Sequence, residues 1–325
     1  MALAAVACNK ADVVEMTSDN AITFDNVFVD NATKSVIDPS YSNTNLFSDF
    51  AVYGFVRDTE SSEAAVLFAN ETVDKSITNA ELTHTAWKYN GTQYWIAGAL
   101  YNFAAIAPQT NGNWTYVSNN TSSTTISFNN DGEHDVLYAQ SATITGKASG
   151  NETVGFTFRH ILSKVRFSFE NGYNAPNTVL RVRNIHIKNA YTSGEAVLTG
   201  TTTVWSDQET DLDLNFGNAA TTAFDGDDTF AYNTTVESYK ELLLIPADYD
   251  SLVDDDTKQL NITFSYDIVI NGTTVKTFDM NPKVSINLEP GHAYDFKATI
   301  TPGEPIEFDV TTVVGWDESN LDQTM

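Results

Sequence analysis

Apolar and polar residues alternate at a period of two through most of this chain, and no long segment repeats apolar residues at the spacing of an amphipathic helix. Successive side chains of a strand point to opposite faces, so this pattern commits the chain to pleated sheet. In the clearest stretch Leu260, Ile262, Phe264, Tyr266, Ile268 and Ile270 share one face, and Asn261, Thr263, Ser265 and Asp267 the other. Asn271 and Gly272 follow, a pair that tolerates the positive φ of a type I′ turn, which predicts a return strand over 274–280. The same turn chemistry at Asn90 and Gly91 predicts a second hairpin between 86–89 and 93–96. Another strand over 161–169 places Ile161, Val165, Phe167 and Phe169 on one face and Lys164 and Arg166 on the other. Further strands are expected at 50–56, 124–128, 154–158, 179–187, 241–245, 292–299 and 306–314. Short strands separated by Gly, Asn, Asp and Ser clusters indicate sandwiches or barrels, so the class is all-β.

With 325 residues the chain has material for two cores of ordinary size. Gly146, Gly150 and Asn151 interrupt the run of strands, which predicts a division into an N-terminal domain at 35–152 and a C-terminal domain at 153–325. Acidic residues outnumber basic ones 43 to 17. That balance repels nucleic acid and anionic membrane surfaces. The acids are dispersed among aromatic and β-branched residues, as in a chain that folds. Cys8 is the single cysteine, which rules out an internal disulfide and a cysteine-based metal cage.

Catalytic signals are missing. His84, His134, His160, His186 and His292 are scattered without metal-site spacing, and no nucleophile elbow or phosphate-binding loop occurs. Asp225, Asp227 and Asp228, and the acids of 248–256, do not follow a calcium-loop pattern and read as acidic turns. Trp87, Tyr89, Tyr94, Trp95, Tyr101, Trp114 and Tyr116 read as core and hairpin aromatics, with a sugar-stacking platform as the alternative. No enzyme activity, metal or cofactor is expected. The apolar run 1–7 ending at Cys8 resembles the end of a bacterial lipoprotein signal, with Cys8 as the lipidated residue; it lacks a basic region ahead of it, so a trimmed start is expected.

A family resemblance is carried by Phe156, Phe158, His160, Leu162, Ser163, Lys164 and Val165, which reproduce a phrase of the form F-x-F-x-H-x-L-[SA]-[KR]-[VL]. Ahead of it stand Phe50, Tyr53, Gly54 and Phe55, then Asp135, Leu137, Tyr138 and Ala139; after it come Gly291 and Tyr294 and a terminal Trp316. In this order the pieces resemble the fimbrillins, pilus subunits of the type V class in Bacteroidetes. The resemblance implies two transthyretin-like β-sandwich domains in tandem, export as an outer-membrane lipoprotein and a place on the cell surface in a pilus. It also implies polymerisation with other pilin subunits after a surface protease removes an N-terminal strand. Physically, a sandwich lacking one strand exposes backbone groups and an apolar groove that a strand donated by the next subunit satisfies.

On that reading segment 1–34 is a signal remnant plus the removable strand, expected at 22–29. Cutting falls between Lys34 and Ser35, where related fimbrillins carry Arg, with Arg57 as the lesser candidate because it closes a strand. Ile306, Phe308 and Val310 alternate with polar residues and form the expected donor strand, with a bulge or a segment buried on both faces expected at 311–314. Alternatively the same strand finishes its own domain. The competing function is a surface adhesin or glycan-binding lipoprotein, such as a pilus tip subunit with a host or glycan ligand.

Overall fold

The computed structural model describes residues 20–29, 47–82, 85–109, 113–220, 229–250 and 258–314. Its strands in chain order are β1 (Phe24–Val29), β2 (Asp49–Arg57), β3 (Ala65–Asp74), β4 (Leu100–Ala107), β5 (Trp114–Asn119), β6 (Thr124–Asn129), β7 (Leu137–Gln140) and β8 (Ile144–Thr145). Then come β9 (Val154–His160), β10 (Ser163–Asn171), β11 (Thr178–Ala190), β12 (Ser193–Thr199), β13 (Thr202–Glu209), β14 (Leu212–Ala220), β15 (Phe230–Ala231) and β16 (Thr235–Ser238). The last are β17 (Leu242–Leu244), β18 (Asp248–Tyr249), β19 (Leu260–Ile270), β20 (Thr273–Met280), β21 (Lys283–Val284), β22 (Ile286–Asn287), β23 (His292–Ile300) and β24 (Phe308–Val314). No α-helix occurs among the described residues, and the class is all-β.

The chain forms two compact units. One takes the described residues within 1–28, 44–109 and 139–157, the other those within 29–43, 110–138 and 158–325. Each unit is thus drawn from separated stretches of the sequence. The reason lies in strand pairing: β6 is laddered to β12 from Asn129↔Ser193 to Thr124↔Leu198, so the segment carrying β5 and β6 packs with later sequence. Long-range pairs of this kind leave no mark on local periodicity.

The first unit is organised on a sheet of order β1-β9-β7-β4-β2-β3, with β8 beside β4; the unit boundaries fall within β1, β7 and β9. β2 and β4 are buried almost throughout, so their sequences run apolar without strict alternation. Gly54 of β2 is required by close approach. A Cβ there would sit 2.7 Å from Phe68 Cδ2 and 3.1 Å from Phe103 Cδ1.

The second unit holds a sheet of order β20-β19-β11-β14-β16-β10-β23-β24 and a separate sheet of order β13-β12-β6-β5. Its core gathers Val165, Phe167 and Phe169 of β10, Leu180, Val182, Ile185 and Ile187 of β11, and Tyr294, Phe296 and Ala298 of β23. The hairpin at Asn271 and Gly272 forms as the alternation predicts, both residues having positive φ and Ile270 facing Thr273. The one expected at Asn90 and Gly91 does not. Trp87 pairs singly with Phe24, Lys88 with Asp74 and Tyr94 with Ala21, so the two arms address different partners. The turn itself is held by Asn79 Nδ2, which donates to the carbonyls of Tyr89 (3.0 Å) and Gly91 (2.7 Å). The bulge expected at 311–314 is also absent: β24 runs antiparallel to β23 in unbroken register from Ala298↔Phe308 to His292↔Val314.

Candidate functional site

The first unit builds a seat for a single strand. Phe24 at the start of β1 is fully buried, with its ring stacked at 5.8 Å on Phe156 and edge-on to Phe68 (5.6 Å), Tyr89 (5.7 Å), Phe103 (6.0 Å) and Phe50 (6.4 Å). Each such ring pair adds about 0.5–1.5 kcal/mol beyond the area it buries. Main-chain bonds hold the segment around it: Ile22 N donates to Gln93 O (2.7 Å), Trp95 N to Asn20 O (3.1 Å) and Val154 N to Thr23 O (2.8 Å).

Polar side chains finish the seat. Tyr89 Oη donates to Ile22 O at 2.8 Å, and burial pushes its phenol up to about 12. Thr85 Oγ1 donates to the carbonyl of Phe24. Asn20 Nδ2 donates to Trp95 O at 3.0 Å, and Asn151 Nδ2 donates to Asn20 Oδ1 at 2.6 Å. Taking the strand away would leave an aromatic-lined slot with the backbone groups of 93, 95 and 154 unpaired. Such a slot asks for another extended chain carrying a large apolar side chain. Sequence reasoning placed a strand here and flagged Tyr89, but Asn20, Thr85 and Asn151 carry no periodic signal.

The second expected element, β24, sits at one end of its sheet with β23 as its ladder partner. Phe308 reaches the rings of Phe167 (5.7 Å), Phe169, Phe264 and Phe296 (6.1 Å each), and Ile306 and Val310 lie half-buried against the same core. Arg57 ends β2 with its side chain only 12 % exposed and its guanidinium 2.7 Å from Glu60, a poor presentation for a protease. Cys8, Lys34, Ser35 and Trp316 lie outside the described residues, as do His84, Asp225, Asp227, Asp228 and the acids at 254–256.

The residues of the F-x-F-x-H phrase act as ties. Phe156 and Phe158 are buried, and His160 Nδ1 meets the Asp135 carboxylate. Arg159 donates to the carbonyls of Gly200 (3.2 Å) and Thr202 (2.8 Å) and to Thr203 Oγ1 (2.7 Å), while its cation lies over the Tyr138 ring. Ser163 Oγ donates to Glu289 O at 2.8 Å, and Lys164 Nζ sits 3.2 Å from Glu241. Of the aromatic group, Trp87, Tyr89, Trp95, Tyr101 and Trp114 are buried and Tyr116 is exposed, which is the arrangement of core aromatics. Among the described residues no group of three or more His, Cys, Asp or Glu is placed to hold a metal, and no helix is long and apolar enough to cross a membrane.

Comparison with known proteins adds to this geometry. The model of a family described as fimbrillin-like matches residues 40–316. No curated protein matches. Among solved structures, a candidate cell adhesion protein of Bacteroides uniformis is 14 % identical, with 91 % of this chain and 97 % of that one covered and a TM-score of 0.44. One of Bacteroides ovatus is 15 % identical over 90 % and 95 % of the two chains, with a TM-score of 0.46. The fimbrial anchor protein Mfa2 of Porphyromonas gingivalis is 12 % identical over 91 % and 97 %, with a TM-score of 0.39.

Proposed function

Because the chain belongs to the fimbrillin-like family, we propose that it is a structural subunit of a surface pilus, assembled with other pilin subunits when its first strand is exchanged for one from a neighbour. The observation that carries this reading is the seat of Phe24. One buried ring, a short run of main-chain bonds and a few polar caps hold a strand that precedes the cut expected between Lys34 and Ser35. Severing the chain there frees that strand from the body, and an incoming strand of similar pattern regains both the ladder and the aromatic contacts. Head-to-tail exchange of this kind need not close, so it grows a filament. Lipidation at Cys8 belongs to the same proposal, as the anchor that keeps the precursor at the outer membrane until cutting.

For the donor, the packing of Phe308 supports the reading in which β24 completes its own sheet; donation by Ile306, Phe308 and Val310 requires breaking the ladder with β23. Deleting 306–325 separates the two. A folded monomer that no longer polymerises supports donation, and loss of cooperative unfolding in the second unit assigns the strand to its own core.

The test of the main proposal is limited trypsin treatment of the purified chain, followed by electron microscopy and N-terminal sequencing of the product. Fibres whose subunits begin at Ser35 are expected. Fibres that retain residues 22–29 of the same subunit would overturn strand exchange at this seat.

A further inference from the structure

The seat of Phe24 holds three alternate residues of its strand, and they differ in what an occupant must supply. Ile22 and Phe24 are fully buried and ask only for apolar bulk. Asn20, at the next position outward, is 4 % exposed and is met at both ends of its carboxamide. Its Nδ2 donates to Trp95 O at 3.0 Å, and its Oδ1 accepts from Asn151 Nδ2 at 2.6 Å.

The groups that meet Asn20 are fixed by contacts of their own. Asn151 Oδ1 accepts from Lys147 N at 2.8 Å, and Asn151 Nδ2 also donates to Lys147 O at 2.9 Å, so the turn over 147–151 holds this amide in place. Trp95 is buried, its ring edge-on to Tyr101 at 4.7 Å. When the strand leaves, an acceptor at Trp95 O and a donor at Asn151 Nδ2 remain where Asn20 stood. A primary carboxamide has one group for each. An ionised carboxylate only accepts, so it answers Asn151 and sets a second electron-rich oxygen against Trp95 O. An aliphatic side chain answers neither, and a buried polar group left unmet is costly.

We propose that Trp95 O and Asn151 are the specificity determinant of this seat, and that the strand it prefers comes from a neighbouring subunit of different sequence, carrying Asn two residues before an aliphatic residue and four before an aromatic one. This rests on the exchange reading above and names the partner for it. The different sequence follows from this chain's own: outside 20–24, no Asn or Gln stands in that spacing. The C-terminal pairs with the right apolar spacing, Ile306 with Phe308 and Val314 with Trp316, present Glu304 and Thr312 at the carboxamide position. Glu304 brings a carboxylate against Trp95 O, and Thr312 offers one oxygen for two partners. Repulsion between copies of net charge −26 acts in the same direction. The selection is a preference: purified alone, the cut chain fills the seat with what its copies offer, and in a mixture the carboxamide strand displaces that.

Fluorescent peptides of residues 20–29, added to the trypsin-cut full chain and followed by anisotropy, test this, with Asn20 kept or replaced by Asp or Leu. Asn20→Asp is the sharpest comparison, because it keeps size and the acceptor for Asn151 and loses only the donor to Trp95 O. The Asn peptide should half-saturate at a concentration at least about tenfold below either variant. In the Asn151→Ala chain the advantage of Asn over Leu should shrink at least about threefold, whereas a merely structural role for Asn151 weakens all peptides alike and leaves that ratio unchanged. A peptide of residues 304–316 should be displaced by the 20–29 peptide. Equal uptake of the three peptides, a ratio indifferent to Asn151→Ala, or a 304–316 peptide that holds the seat overturns the proposal and leaves strand exchange standing. Uptake of no peptide at all overturns exchange at this seat, and the proposal with it.

Discussion

Two buried side chains show how much a single residue carries here. Phe24 makes ring contacts on every side of its slot, so Phe24→Ala removes both transfer energy and packing and should cost about 3–5 kcal/mol. Urea denaturation should report that loss as a lower midpoint with an unchanged slope. Asp267 is a different case. Its carboxylate, 2 % exposed, is met by Arg181 Nε at 3.0 Å, Arg183 Nη2 at 2.9 Å and the Thr277 hydroxyl at 2.6 Å. Burial alone would raise its pKa, but the donated hydrogen bonds and the two cations outweigh that and hold it below the usual aspartate range. A lowered folded-state pKa means the stabilisation is whole above about pH 4 and is lost as pH falls through the folded value. Asp267→Asn should therefore cost about 3 kcal/mol near neutrality and flatten the acid limb of a stability–pH curve. An acid limb unchanged by the substitution would assign acid unfolding to other carboxylates.

Between elements, the decisive contacts join residues far apart in sequence. Arg159 of β9 clamps the turn between β12 and β13 through Gly200 O, Thr202 O and Thr203 Oγ1. Arg159→Met keeps the length of the side chain but drops these bonds, so amides of β13 should exchange faster, by roughly tenfold for each 1.4 kcal/mol lost, while β19 is unaffected. What could be read in advance follows the same division. The β19–β20 hairpin was legible because alternation, turn residues and pairing are all local there. Asn90 and Gly91 offered the same turn chemistry, but only Gly91 takes positive φ, and Trp87 and Lys88 were drawn to Phe24 and Asp74. Strands β4 and β13 gave no usable pattern, since β4 is buried on both faces and β13 is exposed along most of its length, whereas β14 alternates at Leu212, Leu214 and Phe216 and was passed over despite that pattern. Of the candidate site, the strand around Phe24 was legible from its apolar residues, whereas Asn20, Thr85 and Asn151 act through carbonyls and amides contributed by other segments.

For the molecule as a whole, charge sets the tone. With 43 acidic and 17 basic residues, the folded chain works against its own repulsion, and the visible ion pairs recover only part of that. Screening should thus favour the compact state: moving from low salt to about 0.5 M sodium chloride should raise the melting temperature by on the order of a few degrees. A fall would mean that ion pairs such as those of Asp267 outweigh the general repulsion.

The interleaved chain path has a consequence for the order in which this protein can form. A polypeptide is made from its N-terminus, and a domain closes only when its last strand has emerged. Phe156, the ring stacked on Phe24, arrives more than a hundred residues after Phe24, and by then β5 and β6 have been made without β12, the strand that pairs with β6. Both units are thus incomplete at the same moment of synthesis, each with exposed strands. The nascent chain should depend on holding factors until β24, which ends at Val314, is out.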